Sequence, residues 1–268
     1  MTDRLPISVF IIARDEADRI ARPIAAVRDW VGEIVVVDSG SRDGTCALAR
    51  EMGARLLKNE WPGYGPQKRF AEEHCANNWL FNLDADEEPS PALCAEIKAL
   101  FSAGEPPLDA YETPIADVFP HEERPSPHAY VLSPVRLYRK DRARYAPSPV
   151  HDRVVLAPGA RTGRLKSLVH HRSIRSLGDE IRKLNEYTDL QAADLDARSR
   201  RLSPLRLVFE FPASFFKAYL GRRHYRRGTY GFLLAMNYAI YRHLRLAKHL
   251  ERRLARKGVP TPSTAPDK

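Results

Sequence analysis

Trp79-Leu80-Phe81-Asn82-Leu83-Asp84-Ala85-Asp86, continued by Glu87-Glu88-Pro89-Ser90-Pro91, packs an apolar run, a carboxylate pair and a helix start into thirteen residues. The run WLFNL lacks the alternation of a half-wet strand and reads as a strand buried on both faces. Ser90-Pro91 is an N-cap followed by a first-turn proline, opening a helix whose apolar face is Leu93, Ile97, Leu100 and Phe101. Between them, Asp84 and Asp86 stand at i and i+2 where the chain leaves the strand, so both carboxylates can face one cavity. Hard oxygen ligands of this kind suit Mg²⁺ or Mn²⁺, and Mg²⁺ in particular keeps positions open for phosphate oxygens. The plainer account is a solvated acidic loop, because Glu87 and Glu88 follow directly.

The residues upstream favour the first account. Ile7–Ala13 (ISVFIIA) and Ile34–Val37 (IVVV) are further buried-strand runs, and Arg55–Lys58 is a short third strand. Helical patterns follow each: Ile20, Ile24 and Val27, then Thr45–Met52, then a stretch around Gln67–Ala76. Strand–helix alternation of this kind predicts right-handed βαβ units and an α/β fold with a mostly parallel sheet. Ligands in such sheets bind beyond the carboxyl ends of the strands, where Asp38 and Asp84–Asp86 fall. Asp38-Ser39-Gly40-Ser41-Arg42-Asp43-Gly44-Thr45 lacks the GxGxxG and GxxxxGK[ST] spacings, which disfavours dinucleotide and P-loop readings. Asp38 can accept from a base N–H or a ribose hydroxyl, and Asp43 can cap the following helix.

Downstream the pattern changes. Residues 106–158 contain ten of the 21 prolines, with strand signals at Tyr111–Ala116, Val135–Arg139 and Val150–Leu156, which predicts irregular, edge-like structure. Ser176-x-x-Asp179 resembles a capping box before Leu177, Ile181, Leu184 and Tyr187. Ser203-Pro204 starts another helix, which Pro212 should kink or break. A long final helix runs through about Leu254, and 258–268 reads as a disordered tail.

The 268 residues carry 43 Lys+Arg against 34 Asp+Glu, a formal charge of +9. Residues 1–150 are net −6 and residues 151–268 net +15, with 16 basic side chains and only Glu210 and Glu251 in 197–257. Cys46, Cys75 and Cys94 form no CxxC pair and no metal spacing, as expected of reduced thiols in a cytosolic protein. No stretch reaches the ~20 apolar residues of a membrane span, and Arg14-Asp15-Glu16 ends the first apolar run too early for a signal peptide.

ISVFIIARDEADRI, EIVVVDSGSRDGT, GPQKRFAEEH and NWLFNLDADEEPSPAL together resemble family 2 glycosyltransferases of the GT-A fold, in particular bacterial lipopolysaccharide-core enzymes. The likeness continues more loosely through Val135–Arg139, Pro149–Asp152, His171–Leu177 and Phe215–Tyr219. It implies a GT-A catalytic domain at 1–172, with a nucleotide-sugar half (1–105) and an acceptor half (106–172), and a basic helical extension at 173–257. It also implies a nucleotide-sugar donor, most often UDP-linked. Asp38 would hold the uridine, and Asp84 and Asp86 the ribose and the diphosphate-bound metal. Glu16 would be a nucleotide contact, although the family usually has Asn-Glu where this chain has Asp15-Glu16. Lys68 either reaches the nucleotide or phosphates or is a solvated helical lysine.

Inverting transfer is one displacement at the anomeric carbon, which needs a base for the acceptor hydroxyl and a stabilised leaving diphosphate. Asp152 is the candidate base, where the family usually shows Glu; the alternative is an ion pair with Arg153. His170 and His171 point to opposite faces of a strand, so one at most faces the site. His171 fits the family pattern and could touch metal or phosphate, and His170 reads as structural. On the final helix Arg242, Arg245, Lys248, Arg252 and Arg256 form one stripe, and Ile240, Leu244, Ala247, Leu250 and Leu254 another. Such a helix suits an anionic lipid interface, or packs by its apolar stripe with its charges in water; Arg222–Arg227 adds to the same patch.

The expectation is an inverting, metal-dependent glycosyltransferase at the inner face of the cytoplasmic membrane, acting on a lipid-linked saccharide such as lipopolysaccharide core. A sugar nucleotidyltransferase is the enzymic alternative, but its Gly-rich loop after the first strand is replaced here by Ala13-Arg14-Asp15-Glu16. A nucleic-acid-binding protein would leave the strand-end aspartates unexplained, and no RNP, helix-turn-helix or zinc pattern is present.

Overall fold

The computed structural model describes residues 4–148, 153–197 and 203–256. The chain forms two compact units: Met1–Pro125 with Val131–Ser173, and Ser126–Tyr130 with Ile174–Lys268.

The first unit is built on a seven-stranded sheet. In chain order its strands are β1 (Leu5–Ala13), β2 (Val31–Asp38), β3 (Arg55–Lys58), β4 (Trp79–Asn82), β6 (Ala110–Glu112), β9 (Val135–Arg139) and β12 (Thr162–Arg164). They lie side by side as β12-β6-β9-β4-β1-β2-β3. All neighbours pair in parallel except β9, which is antiparallel to both β4 and β6. The expected mostly parallel α/β sheet is therefore present. Alternate residues of β1 enter two cores, Ile7, Val9 and Ile11 on one face, Phe10 and Ile12 on the other. Double burial is why these strands read as unbroken apolar runs. Helix α1 (Ala21–Val27), α2 (Thr45–Glu51) and α4 (Pro91–Leu100) supply Ile24, Ala49 and Ile97 to the first core, and α3 (Tyr64–His74) supplies Ala71 to the second. Ser90 caps α4 by accepting from the Leu93 amide at 3.2 Å.

Two smaller sheets complete the unit. One is β5 (Glu87–Pro89), β13 (Val169–His171), β7 (Ile115–Asp117) and β8 (Val131–Leu132), in that order; the other is the hairpin of β10 (Ala143–Tyr145) and β11 (Val154–Leu156). The single strand expected over Tyr111–Ala116 is in fact two strands in two sheets. Pro114 cannot donate to a ladder, and the Thr113 amide is already bonded to the Pro134 carbonyl at 2.8 Å, so the chain changes sheets there.

The second unit is helical: α5 (Leu177–Ala197), α6 (Pro204–Phe216), a π-turn over Lys217–Gly221, a 3-10 turn over His224–Arg227, and α7 (Gly228–Arg256). Ser176 caps α5, accepting from the Asp179 amide at 3.1 Å. Pro212 does not break its helix, because α6 runs through it to Phe216. Pro212 sits on the exposed side, where water can satisfy the carbonyl its missing N–H releases, and the wide turn comes only after it.

The basic stripe of the last helix is partly engaged within the helical unit: Arg242 and Arg245 meet Glu210 of α6 at 2.7 and 3.3 Å, Lys248 meets Asp189 of α5 at 3.0 Å, and Arg252 and Arg256 approach Asp196 at 3.8 and 3.6 Å, the Arg256 side chain staying 67% exposed. Of the apolar stripe, Ile240 and Leu254 are exposed and Leu244, Ala247 and Leu250 half-buried, while Leu246 and His249 are buried. The final helix pairs charge to charge, with partners that stand far away in the sequence. The tail expected at 258–268 lies outside the described residues.

Candidate active site

The strand order turns at β1: β2 and β3 continue to one side, and β4 lies on the other. Loops leaving β1, β2 and β4 at this switch point open a crevice at their carboxyl ends. Two of those loops are joined to each other. The Asp15 amide donates to Ser41 Oγ at 2.9 Å, the Arg42 amide to Asp15 Oδ1 at 2.7 Å, and the Glu16 amide to Thr45 Oγ1 at 2.8 Å. Asp43 accepts from the amides of Thr45 and Ala17. Asp15 holds a positive φ of 55° to make this joint.

Asp38 ends β2 and is buried. Its carboxylate accepts from the Gly40 amide at 2.9 Å and the Ser41 amide at 3.0 Å, forming the turn. Burial alone would raise its pKa, but the hydrogen bonds from Ser41 and Gly40 hold it below the ordinary aspartate value. The Ser41 hydroxyl and the Cys46 thiol also donate to it.

Asp84 and Asp86 follow β4, and each is held between two cations. Asp84 Oδ1 is 2.8 Å from Lys68 Nζ and its Oδ2 is 3.0 Å from Arg136 Nη2. Lys68 is fully buried, with its ammonium 5.1 Å from the centre of the Tyr145 ring, so the solvated-lysine reading is excluded. Arg136 also reaches Glu87 Oε1 at 2.7 Å and donates to Asn82 Oδ1. Glu87 in turn accepts from the Asp84 amide at 2.9 Å. Glu87 is 2% exposed, which overturns the reading of this stretch as a solvated acidic loop. Burial opposes the charge on Asp84, but Lys68 and Arg136 outweigh it and keep the carboxyl well below the usual range.

Asp86 Oδ2 lies 3.3 Å from Arg19 Nη1 and 3.6 Å from His171 Nε2. The other edge of Arg19 grips Glu16 Oε2 at 2.5 and 2.8 Å, so Glu16 and Asp86 share one guanidinium. The far nitrogen of His171, Nδ1, is 3.3 Å from Asp117 Oδ1. Strand register produces this group, since His171 of β13 stands opposite Asp117 in β7 and Glu87 in β5. Burial would lower the His171 pKa, but hydrogen bonds to Asp117 and Asp86 carry it up to about 11. The neighbouring His170 is pushed down by its own burial.

Among the described residues no group of three or more His, Cys, Asp and Glu side chains is placed to hold a metal alone. Asp86, together with His171 once a metal displaces the proton on its Nε2, would make a two-donor set. Asp117 behind the imidazole is the outer carboxylate that orients a metal-binding histidine. A divalent ion with two protein ligands and its other positions on phosphate and water fits these residues.

The structure thus gathers Glu16, Lys68, Asp84, Asp86 and His171 into two linked charge networks, with Asp38 in the adjoining strand-end loop. Asp152 lies outside the described residues. Arg19, Arg136, Glu87 and Asp117 were not singled out as site residues from sequence. The only signals were the i, i+3 spacing of Glu16 and Arg19 and the place of Arg136 in the VRLYR segment.

Residues 8–163 match the family described as glycosyl transferase family 2. An uncharacterized glycosyltransferase of Rickettsia felis is 38% identical, over 97% of this chain and 94% of its own length. The lipopolysaccharide core biosynthesis glycosyltransferase LpsC of Rhizobium meliloti is 32% identical over 94% of each chain. A solved structure of glucosyl-3-phosphoglycerate synthase from Mycobacterium tuberculosis, with Mn²⁺, uridine-diphosphate and glucosyl-3-phosphoglycerate, overlaps only partly, at TM-score 0.42 and 16% identity over 65% of this chain and 74% of that one. With the family's sequence pattern spanning both halves of the strand-end crevice, and relatives that match from end to end, the chain belongs to glycosyl transferase family 2 and is a glycosyltransferase.

Proposed function

We propose that the protein transfers a sugar, with inversion, from a nucleotide-sugar donor of the UDP class to a lipid-linked saccharide such as lipopolysaccharide core. We place it peripherally on the inner face of the cytoplasmic membrane. The observation that carries the donor reading is the strand-end pair Asp84 and Asp86, both kept ionised, with His171 Nε2 3.6 Å from Asp86. The likeness to LpsC supports the acceptor class. Among the described residues no helix is long and apolar enough to cross a membrane, and Lys217, Arg223 and Arg226, exposed on the helical unit, support peripheral attachment.

In this reading Asp38 accepts from the uracil and Asp84 from the ribose. Mg²⁺ or Mn²⁺ held by Asp86 and His171 would neutralise the charge that gathers on the leaving diphosphate. Lys68 and Arg136 keep Asp84 ionised and fixed before the donor arrives, and Arg19 does the same for Glu16 and Asp86, so little reorganisation is needed during reaction. Asp152, assigned from sequence alone, removes the proton from the acceptor hydroxyl. That oxygen then attacks the anomeric carbon as the bond to the diphosphate breaks.

A thermal-shift panel of UDP-, GDP-, ADP- and CMP-sugars, each with and without Mn²⁺, tests donor and metal together. Stabilisation by a UDP-sugar only when Mn²⁺ is present is expected; no response to any donor would sink the reading. Asp86→Ala should remove the metal-dependent part of donor binding. Asp152→Asn should bind donor normally and lose about 10²-fold or more in turnover, and near-normal turnover would clear Asp152 of the base role.

A further inference from the structure

Helix α6 carries an apolar stripe that no described residue of its own unit covers. Leu205, Val208, Phe209, Phe216 and Leu220 recur at helical spacing through α6 and the π-turn, and they are 56–67% exposed. The opposite side, with Ser214 and Ala218 buried, packs on α7. Glu210 is the only acidic residue of α6 and the turns that follow it, and it faces away from the stripe to pair with Arg242 and Arg245. Lys217, Arg223 and Arg226 are exposed in the same segment, and Arg206, 3.4 Å from Glu210, is still 43% exposed. The other two arginines of the RRHYRR run are withdrawn, since Arg227 is buried and Arg222 lies over the rings of Tyr130 and Tyr238.

An apolar ridge, a cationic border and one acid turned inward is the charge pattern of a helix lying in a lipid interface. A second copy of the chain is a poor occupant. Two-fold contact would set the ridge against itself and bring Arg206, Lys217, Arg223 and Arg226 against their own counterparts. An anionic leaflet reverses the sign of that interaction. At about 1.5 Å per residue, the thirteen residues of α6 span about 20 Å, suited to lying in the headgroup plane and too short to cross the hydrocarbon core.

We infer that α6 is the membrane-inserting element, with Leu205, Val208, Phe209, Phe216 and Leu220 entering the interface of an anionic bilayer and Arg206, Lys217, Arg223 and Arg226 contacting its headgroups. This rests on the peripheral-membrane reading above and moves the contact from the last helix to α6.

The test is co-sedimentation of the full chain with vesicles of phosphatidylcholine alone and of phosphatidylcholine with phosphatidylglycerol. The unmodified protein should bind the phosphatidylglycerol vesicles. The pair Val208→Ser, Phe209→Ser and, separately, Phe216→Ser, Leu220→Ser should each lower partitioning about tenfold or more, while Val208→Leu, Phe209→Leu retains it. Arg223→Ser with Arg226→Ser should erase the preference for the anionic vesicles. If the unmodified chain binds and both serine pairs bind equally well, α6 is not the inserted element although the membrane reading survives. If the unmodified chain binds neither vesicle, both fall. A lipid-free dimer that the serine pairs convert to monomer would overturn the inference in favour of a subunit interface. One serine pair that fails to fold leaves the other to decide.

Discussion

Arg136 organises the proposed donor side of the site more than any residue the sequence pointed to. One buried guanidinium serves Asp84, Glu87 and Asn82 together, and losing it would strand Glu87, which is 2% exposed, without its counter-charge. Removing one partner of a buried ion pair costs roughly 3–5 kcal/mol, and each kcal/mol moves the thermal midpoint about 2–4 °C at this chain length. Arg136→Met is therefore expected to lower the midpoint by about 6 °C or more and to abolish donor binding. Arg136→Lys keeps a charge but loses the second guanidinium nitrogen, which donates to Asn82, so it should fold with weakened donor affinity. Calorimetry and a donor titration check both, and a folded Arg136→Lys with unchanged donor affinity would show that Asp84 orients itself. Asp84 and Asp86 stand out in the sequence because the pair directly follows a buried apolar strand. Arg136 and Arg19 do not, because among 43 Lys and Arg side chains nothing local marks the buried ones.

At the scale of elements, the parallel core was legible and the second sheet was not. β1, β2 and β4 are buried on both faces, so their burial is written as continuous apolar runs. β5, β7 and β13 are three residues each and carry Glu87, Asp117 and His171. Their identity comes from a register between segments far apart in the chain, which no local pattern encodes. α3 shows the same dependence on distant contact. Gly65 lies in its first turn, and its amide donates to the Ser148 carbonyl at 3.1 Å. A Cβ there would stand 2.1 Å from the Ala146 oxygen and 2.6 Å from the Ser148 oxygen, both backbone atoms. Gly65→Ala must then push the 146–148 segment off α3, and overpacking of this kind costs about 1–3 kcal/mol. A midpoint lowered by several degrees is expected by differential scanning fluorimetry. Gly44→Ala is the control, since the nearest atom to its Cβ would be 3.8 Å away; equal effects of the two would remove the steric argument.

For the molecule as a whole, the charge of +9 averages two differently built units, and their separate cores should show in unfolding. The first unit holds Trp30, Trp61 and Trp79, all the tryptophan of the chain, so fluorescence reports that unit. Helical circular dichroism weighs both units and is dominated by α5, α6 and α7. In the helical unit Glu210 gathers Arg206, Arg242 and Arg245 while its side chain is only 10% exposed. Burial raises the Glu210 pKa, and the hydrogen bond and charge of Arg242, with help from Arg206 and Arg245, pull it below the ordinary glutamate value. A carboxyl depressed in the folded state adds stability above its unfolded pKa, and that stability is lost as pH falls through the folded value. The dichroism midpoint should therefore hold near neutral pH and drop as pH falls below about 4, with the Glu210-dependent part of the drop missing in Glu210→Gln. At neutral pH, Glu210→Gln should lower the dichroism midpoint and leave the fluorescence midpoint where it was. Equal movement of both signals would mean that the two units unfold as one cooperative body, and that the ion pairs of α7 stabilise the whole chain.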